Sequence, residues 1–186
     1  MGKDKAWLEL DGRAMIEYVI AALAPVTTKV AIIANSLEYE RLGLPVFADS
    51  QTGIGPLEAI RTALSNALTR RVVLVGCDLP FVTADLFKRL LNIPGDHAAT
   101  VPVDSDGKLE PLCAIYRPEA LPVVTDLIKL GERKVSLLFD RVPTRLVPFD
   151  ELHDLEGSEL FFENINTPED YLRVRERVPS IHSQRP

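Results

Sequence analysis

The chain has 186 residues, 46% hydrophobic and 26% charged, with a formal net charge of −6; that is the balance of an ordinary soluble globular protein with room for one substantial core and hardly for two. The acidic balance argues against a nucleic-acid partner, which needs a concentrated basic surface, and no stretch approaches the roughly 18 apolar residues of a membrane span. Two cysteines, Cys77 and Cys113, make neither a disulfide framework nor a metal-type spacing, and the charged start Met1-Gly2-Lys3-Asp4-Lys5 is not followed by a secretory apolar stretch, so a cytoplasmic location is expected.

In chain order, Val30-Ala31-Ile32-Ile33 is the first apolar run suited to a strand buried on both faces, and Pro45 to Ala48 is a shorter second one. Behind Pro56, a favoured first helical residue, Leu57, Ile60, Leu64 and Leu68 recur on one helical face. Arg71 to Val75 is the clearest strand, β-branched, continuous and stopped by Gly76. Thr83 is placed to cap a helix carrying Leu86, Phe87, Leu90 and Leu91, with Asp85 in its positive first turn. Ala98 to Val103 and Leu112 to Tyr116 read as strands, and Leu121, Val124, Leu127 and Ile128 form a helical face after Pro118. Thr144 to Val147 is a weaker strand, and Thr167-Pro168-Glu169-Asp170 opens a last helix through Tyr171 and Val174. Alternating strands and helices predict an α/β fold with a mostly parallel central sheet between helical layers. Residues 1–178 are expected to form one domain, and the polar segment 179–186 a disordered tail.

Ligands of open α/β sheets bind at the carboxyl ends of the strands. The best strand ends in Val75-Gly76-Cys77-Asp78-Leu79-Pro80, so Asp78 falls at that edge, placed to hold Mg²⁺ together with substrate phosphates; an Asp that only caps the turn before Pro80 is the plain alternative. The loop Asp49 to Leu57 joins a strand to a helix. Its two glycines let the backbone approach a ligand, and Gly55, Pro56 and Leu57 start a helix whose N–H groups can meet an anion; the same residues also make an ordinary turn. Lys3, Lys5 and Arg13 make a basic N-terminal segment. The cysteines read most simply as small core residues, and Trp7 as packing near the pocket.

Taken together, MGKDKAWLELDG at 1–12, GPLEAIRTAL at 55–64, CDLPFV at 77–82, PLCAIYRP at 111–118, GERKV at 131–135 and ENINTPEDY at 163–171 resemble the molybdenum cofactor guanylyltransferases, in order over nearly the whole chain. The resemblance implies a Rossmann-like nucleotidyltransferase fold and Mg²⁺-dependent transfer of GMP from GTP to molybdopterin with release of pyrophosphate. By the same resemblance Asp78 matches the metal-binding aspartate, Lys5 the lysine at the nucleotide phosphates and Asp49 the acid of the base pocket. Asn164 and Asn166 match paired asparagines beside the active site, and Arg133 and Lys134 a basic pair facing the pterin. Molybdoenzymes or cofactor-insertion proteins are the further partners it implies. Family members open with a strand and a Gly-Gly-x-Ser-x-Arg type loop ahead of the Met-Gly-x-Asp-Lys motif. This sequence starts at that methionine, so a chain wanting one sheet strand and its phosphate loop is the expectation. A cytidylyltransferase acting on the same pterin, and a non-catalytic homologue that binds cofactor or a partner protein, are the competing readings; Asn164-Ile165-Asn166 favours the guanylyl branch by resemblance.

Overall fold

The computed structural model describes residues 4–49 and 55–175. The chain opens with a 3-10 turn at Lys5–Trp7 and a small hairpin of β1 (Glu9–Leu10) and β2 (Arg13–Ala14), then enters helix α1 (Met15–Leu23). β3 (Ile32–Ile33), a 3-10 segment at Leu37–Leu42 and β4 (Val46–Phe47) follow, and α2 (Pro56–Ser65) leads to β5 (Val72–Val75). After α3 (Ala84–Leu91), β6 (Ala99–Pro102) and β7 (Cys113–Tyr116) form a hairpin. α4 (Leu121–Lys129), α5 (Ser136–Phe139), β8 (Thr144–Val147) and α6 (Pro168–Arg175) complete the order.

Local chemistry sets most of these boundaries. Thr83 Oγ1 accepts from Leu86 N–H at 3.3 Å and starts α3. Thr167 and Asp170 cap α6 reciprocally: Asp170 N–H donates to Thr167 Oγ1 at 3.0 Å, and Thr167 N–H to Asp170 Oδ2 at 2.9 Å. α1 has alanine at its cap position, and Glu17 reaches back instead to accept from Ala14 N–H at 2.9 Å. α2 ends at Ser65, so Leu68, expected on its apolar face, stands 85% exposed beyond it.

The strands form a four-stranded sheet in the order β5-β7-β6-β8 beside a parallel pair, β3-β4. In the larger sheet β5, β6 and β8 share one direction and β7 runs against them. The reversal follows from the β6–β7 connection, a hairpin closed by the Val103–Leu109 bridge and too short for a helical crossover. The carboxyl ends of β5, β6 and β8 and the tip of that hairpin therefore share one edge. α2 and α4 cover one face, where Leu57, Ile60, Leu64, Val124 and Leu127 pack with Val72 and Leu74. α1 and α3 cover the other, where Val19, Leu23, Leu86, Phe87 and Leu90 pack with Val73 and Val75. α1 also sends Ile16 and Ile20 into the cluster holding Ile32, and α2 touches both β3 and β5. The two sheets are thus held side by side through helices.

One sequence expectation is corrected. The first apolar run was expected as a strand buried on both faces, yet only Ile32–Ile33 forms a strand and Ala31 is exposed; Val72 to Val75 of the clearest strand are all half-buried. Both faces of β5 are covered, but among the described residues only β7 pairs with it. Gly76 N–H donates to Leu112 O at 2.7 Å, which fixes the alternation: Val72 and Leu74 turn their peptide groups toward β7, and Val73 and Val75 turn theirs to the open edge.

Candidate active site

Asp78 sits half-buried just past β5, in a turn where Leu79 N–H donates to Gly76 O at 3.3 Å. Its carboxylate lies over Gly76, where a Cβ would collide with Oδ1. The main-chain oxygen of Asp78 accepts from Ile165 N–H at 3.0 Å, and Ile165 is fully buried. This one backbone bond docks the segment Asn164–Asn166 against the end of β5. Asn164 is half-buried, its Nδ2 donating to Phe162 O at 3.3 Å, which leaves its carbonyl side free for a ligand.

Lys5 reaches the same place from the other end of the chain, with Nζ donating to Asn166 Oδ1 at 3.0 Å. Asp4 aims it there. Asp4 Oδ1 caps the Lys5–Trp7 turn by accepting from Ala6 N–H at 3.1 Å, while Oδ2 accepts from Tyr39 Oη–H at 2.6 Å. Tyr39 is 6% exposed, and burial and the neighbouring Asp4 push its phenol well above the ordinary range, so it stays a hydrogen-bond donor. Trp7 packs beside Tyr39, ring centroids 5.1 Å apart, and the Arg41 guanidinium lies 3.5 Å from the Trp7 centroid. The lysine-bearing turn is thereby clamped to the segment between β3 and β4. Sequence reading missed Asp4 and Tyr39, although Asp4 stands within the first matching block.

Asp49 lies beyond β4, where Oδ1 accepts from Thr62 Oγ1–H at 2.8 Å. Glu58, 1% exposed, pairs with Arg61 at 2.6 Å on the same helix, and Asp49 is among the charges that raise the Arg61 guanidinium pKa, after the Glu58 hydrogen bond. Gly55 takes φ +76° ahead of α2, a conformation that only glycine adopts without strain. Pro56 has no N–H, and the Leu57 side chain is fully buried. Of the predicted trio, the Leu57 N–H is a donor that α2 itself cannot use. Ser50 to Ile54 of this loop lie outside the described residues.

Arg133 and Lys134 are exposed. Arg133 Nη1 donates to Glu132 O at 3.0 Å, and among the described residues no hydrogen bond joins either side chain to the Lys5–Asp78–Asn166 group. They stand between α4 and α5. Burial, then the charges of Asp78 and Asp4, push the Cys77 thiol up to about 11; the neutral thiol is no nucleophile at neutral pH. Cys113 is fully buried, so both cysteines are packing residues, as expected. Among the described residues no cluster of three or more His, Cys, Asp or Glu side chains could hold a metal. No helix among them is long and apolar enough to cross a membrane.

An edge that gathers a lysine, an aspartate and paired asparagines at strand ends suits the binding of phosphates. Residues 1–145 match the family described as the MobA-like NTP transferase domain. The chain belongs to that family. Among relatives of this MobA-like transferase, a probable molybdenum cofactor guanylyltransferase of Carboxydothermus hydrogenoformans is 36% identical over 174 residues, 94% of this chain and 88% of the relative. The molybdenum cofactor guanylyltransferase of Vibrio vulnificus is 34% identical over 172 residues, 91% of this chain and 85% of the relative. Molybdopterin-guanine dinucleotide biosynthesis protein A of Archaeoglobus fulgidus shares the fold at a TM-score of 0.77 and 24% identity, over 99% of this chain and 93% of that one. So does 2-C-methyl-D-erythritol 4-phosphate cytidylyltransferase of Thermus thermophilus, at a TM-score of 0.69 and 17% identity over 94% of each chain. The Rossmann-like nucleotidyltransferase fold expected of this MobA-like chain is the one it has.

Proposed function

We propose that the chain transfers GMP from GTP to the terminal phosphate of molybdopterin and releases pyrophosphate, with Asp78 and Lys5 at the reacting phosphates. The observation that carries this reading is the convergence of Lys5, Asp78 and Asn166 at the carboxyl edge of β5. The names of the 34–36% identical relatives support the choice of substrates.

An oxygen of the molybdopterin phosphate attacks the α-phosphorus of GTP. Its bond forms as the bond to the bridging oxygen of the β-phosphate breaks, and pyrophosphate leaves with that electron pair. Charge on the oxygens around the α-phosphorus must be met by fixed cations, because no covalent enzyme group is required. Lys5 is such a cation. Asn166 Oδ1 accepts from one N–H of Lys5 Nζ and holds the head in place, leaving the other Lys5 donors for phosphate oxygens.

The donor set suits Mg²⁺, which takes one or two carboxylates and fills its octahedron with water and substrate phosphates; Asp78 is half-buried and no larger carboxylate group surrounds it among the described residues. When bound, the ion would neutralise phosphate charge and align the two reacting groups. Asp49, with Oδ1 engaged by Thr62, keeps Oδ2 to accept from the ring N–H and amino group of guanine. Leu57 serves the nucleotide through its main-chain N–H, and Gly55 and Pro56 set the turn that presents it. Asn164, Arg133 and Lys134 serve the pterin. The test is formation of the guanine dinucleotide from GTP, molybdopterin and Mg²⁺, with pyrophosphate released in equal amount. A chain that binds both substrates yet yields no dinucleotide would overturn the reading.

A further inference from the structure

We propose that Lys108, anchored by the buried carboxylate of Glu110, holds the phosphate of the acceptor on the side of Asp78 away from the nucleotide. The proposal rests on the transfer reaction above but concerns residues that reading does not use.

The β6–β7 hairpin carries both side chains to the carboxyl edge. Its return limb is fixed by Glu110 N–H donating to Pro102 O at 3.0 Å and Cys113 N–H donating to Glu110 O at 3.0 Å. Glu110 is a carboxylate only 5% exposed, and Lys108 Nζ meets its Oε1 at 2.8 Å. The Lys108 side chain remains 64% exposed. The turn behind it is rigid, because Asp104 Oδ1 accepts from both Asp106 N–H at 2.9 Å and Lys108 N–H at 2.8 Å. The lysine head is therefore held at one point while most of it faces solvent.

The pair adjoins Asp78. Leu112, two residues past Glu110, accepts from Gly76 N–H at 2.7 Å, and Gly76 is the residue over which the Asp78 carboxylate lies. The Glu110 hydrogen bond raises the Lys108 pKa and burial raises that of Glu110, and Asp78 is near enough to contribute to both.

Sheet order decides which substrate Lys108 meets. Lys5 and Asp49 approach Asp78 from the β3–β4 side, since the Lys5–Trp7 turn packs with Ile32, Tyr39, Val46 and Cys77. Lys108 and Glu110 approach it across β7, from the β6 side. A reaction that brings two anions together at one phosphorus needs a cation on each flank. Lys5 stands on the nucleotide flank, and Lys108 stands on the other. An ammonium has three donors, and Glu110 engages one, so two remain for phosphate oxygens. An exposed lysine tethered to a buried glutamate is thus set in place before the acceptor arrives.

The experiment compares wild type, Lys108→Met and Lys108→Arg. Molybdopterin and its dephosphorylated form are titrated calorimetrically without GTP, and steady-state constants are then measured for both substrates. Loss of one charge-assisted contact should weaken binding of molybdopterin by about 10-fold or more. Binding of the dephosphorylated form and the KM for GTP should be unchanged, with arginine restoring part of the loss. Equal weakening of both pterin forms, a raised KM for GTP, or no change at all would overturn the proposal. If wild type forms no dinucleotide while Lys108 still governs phosphate-dependent binding, the transfer reading fails and this site stands.

Discussion

Lys5 and Asn166 stand 161 positions apart in the chain, yet Lys5 Nζ donates to Asn166 Oδ1 at 3.0 Å. Two anchors make the meeting reproducible: Asp4 and Tyr39 on the lysine side, and the Ile165-to-Asp78 backbone bond on the asparagine side. The pair is exposed, so its contribution to stability is small, while its effect on where a cation waits is large. Asn166→Ala should lower kcat/KM by about 10-fold, and Lys5→Met by more, with unfolding free energy changed by less than about 1 kcal/mol in each. A double-mutant cycle in kcat/KM should show strong non-additivity, because an unheld lysine has already lost much of its use. Additive effects would mean that the two side chains act separately.

Asp78 and Gly76 give a second prediction. Asp78→Ala should abolish Mg²⁺-dependent turnover of GTP. Gly76→Ala asks a finer question, since the new methyl displaces the Asp78 carboxylate and leaves its charge in place. The carboxylate is the end of a flexible side chain, so stability should fall modestly while activity drops on the order of 100-fold, the scale of a misplaced catalytic group. Near-normal turnover in either variant would remove Asp78 from the reacting centre.

The Asp49–Thr62 hydrogen bond bears on base choice. On the proposed function, Asp49 would accept from guanine's ring N–H and amino group, whereas cytosine offers an acceptor at its ring N3. GTP should therefore bind more tightly than CTP in competition, and Asp49→Ala should forfeit about 1–3 kcal/mol of that discrimination. Thr62→Val frees Asp49 to rotate and should reduce the preference by a smaller amount. Equal affinity for CTP in the wild type would place the chain with cytidylyl transfer.

The strand–helix alternation was legible because its signals are local. A β-branched run such as Val72–Val75, a proline at the first turn of α2, and the Thr83 and Thr167 caps each act within a few residues. α1 left no such mark: its cap position is alanine, and Met15–Leu23 is nearly all apolar, so periodicity cannot separate helix from strand. At the site, Asp78 was legible as the polar residue that ends the best strand. Tyr39, Thr62, Lys108 and Glu110 were not, because each acts through a partner or neighbour brought close by tertiary packing. Leu68 fitted the helical period but fell past the end of α2, where no helix carries it inward.

The open edge of β5 is the last point that can be measured directly. Val72 and Leu74 turn their peptide groups toward β7, while Val73 and Val75 turn theirs toward β3, which itself pairs only with β4 among the described residues. Ile33 faces back across the gap, because Ile32 and Ala34 N–H groups donate the other way, to Pro45 O at 2.8 Å and Phe47 O at 3.0 Å. α2 touches both β3 and β5, and among the described residues no strand pairs with the edges that face the gap. In native-state hydrogen exchange the amides of Val73 and Val75 should therefore exchange at least about 100-fold faster than that of Leu74, which needs β5 to leave β7. If Val73 and Val75 already exchange as slowly as Leu74, the edge is covered and the two sheets act as one.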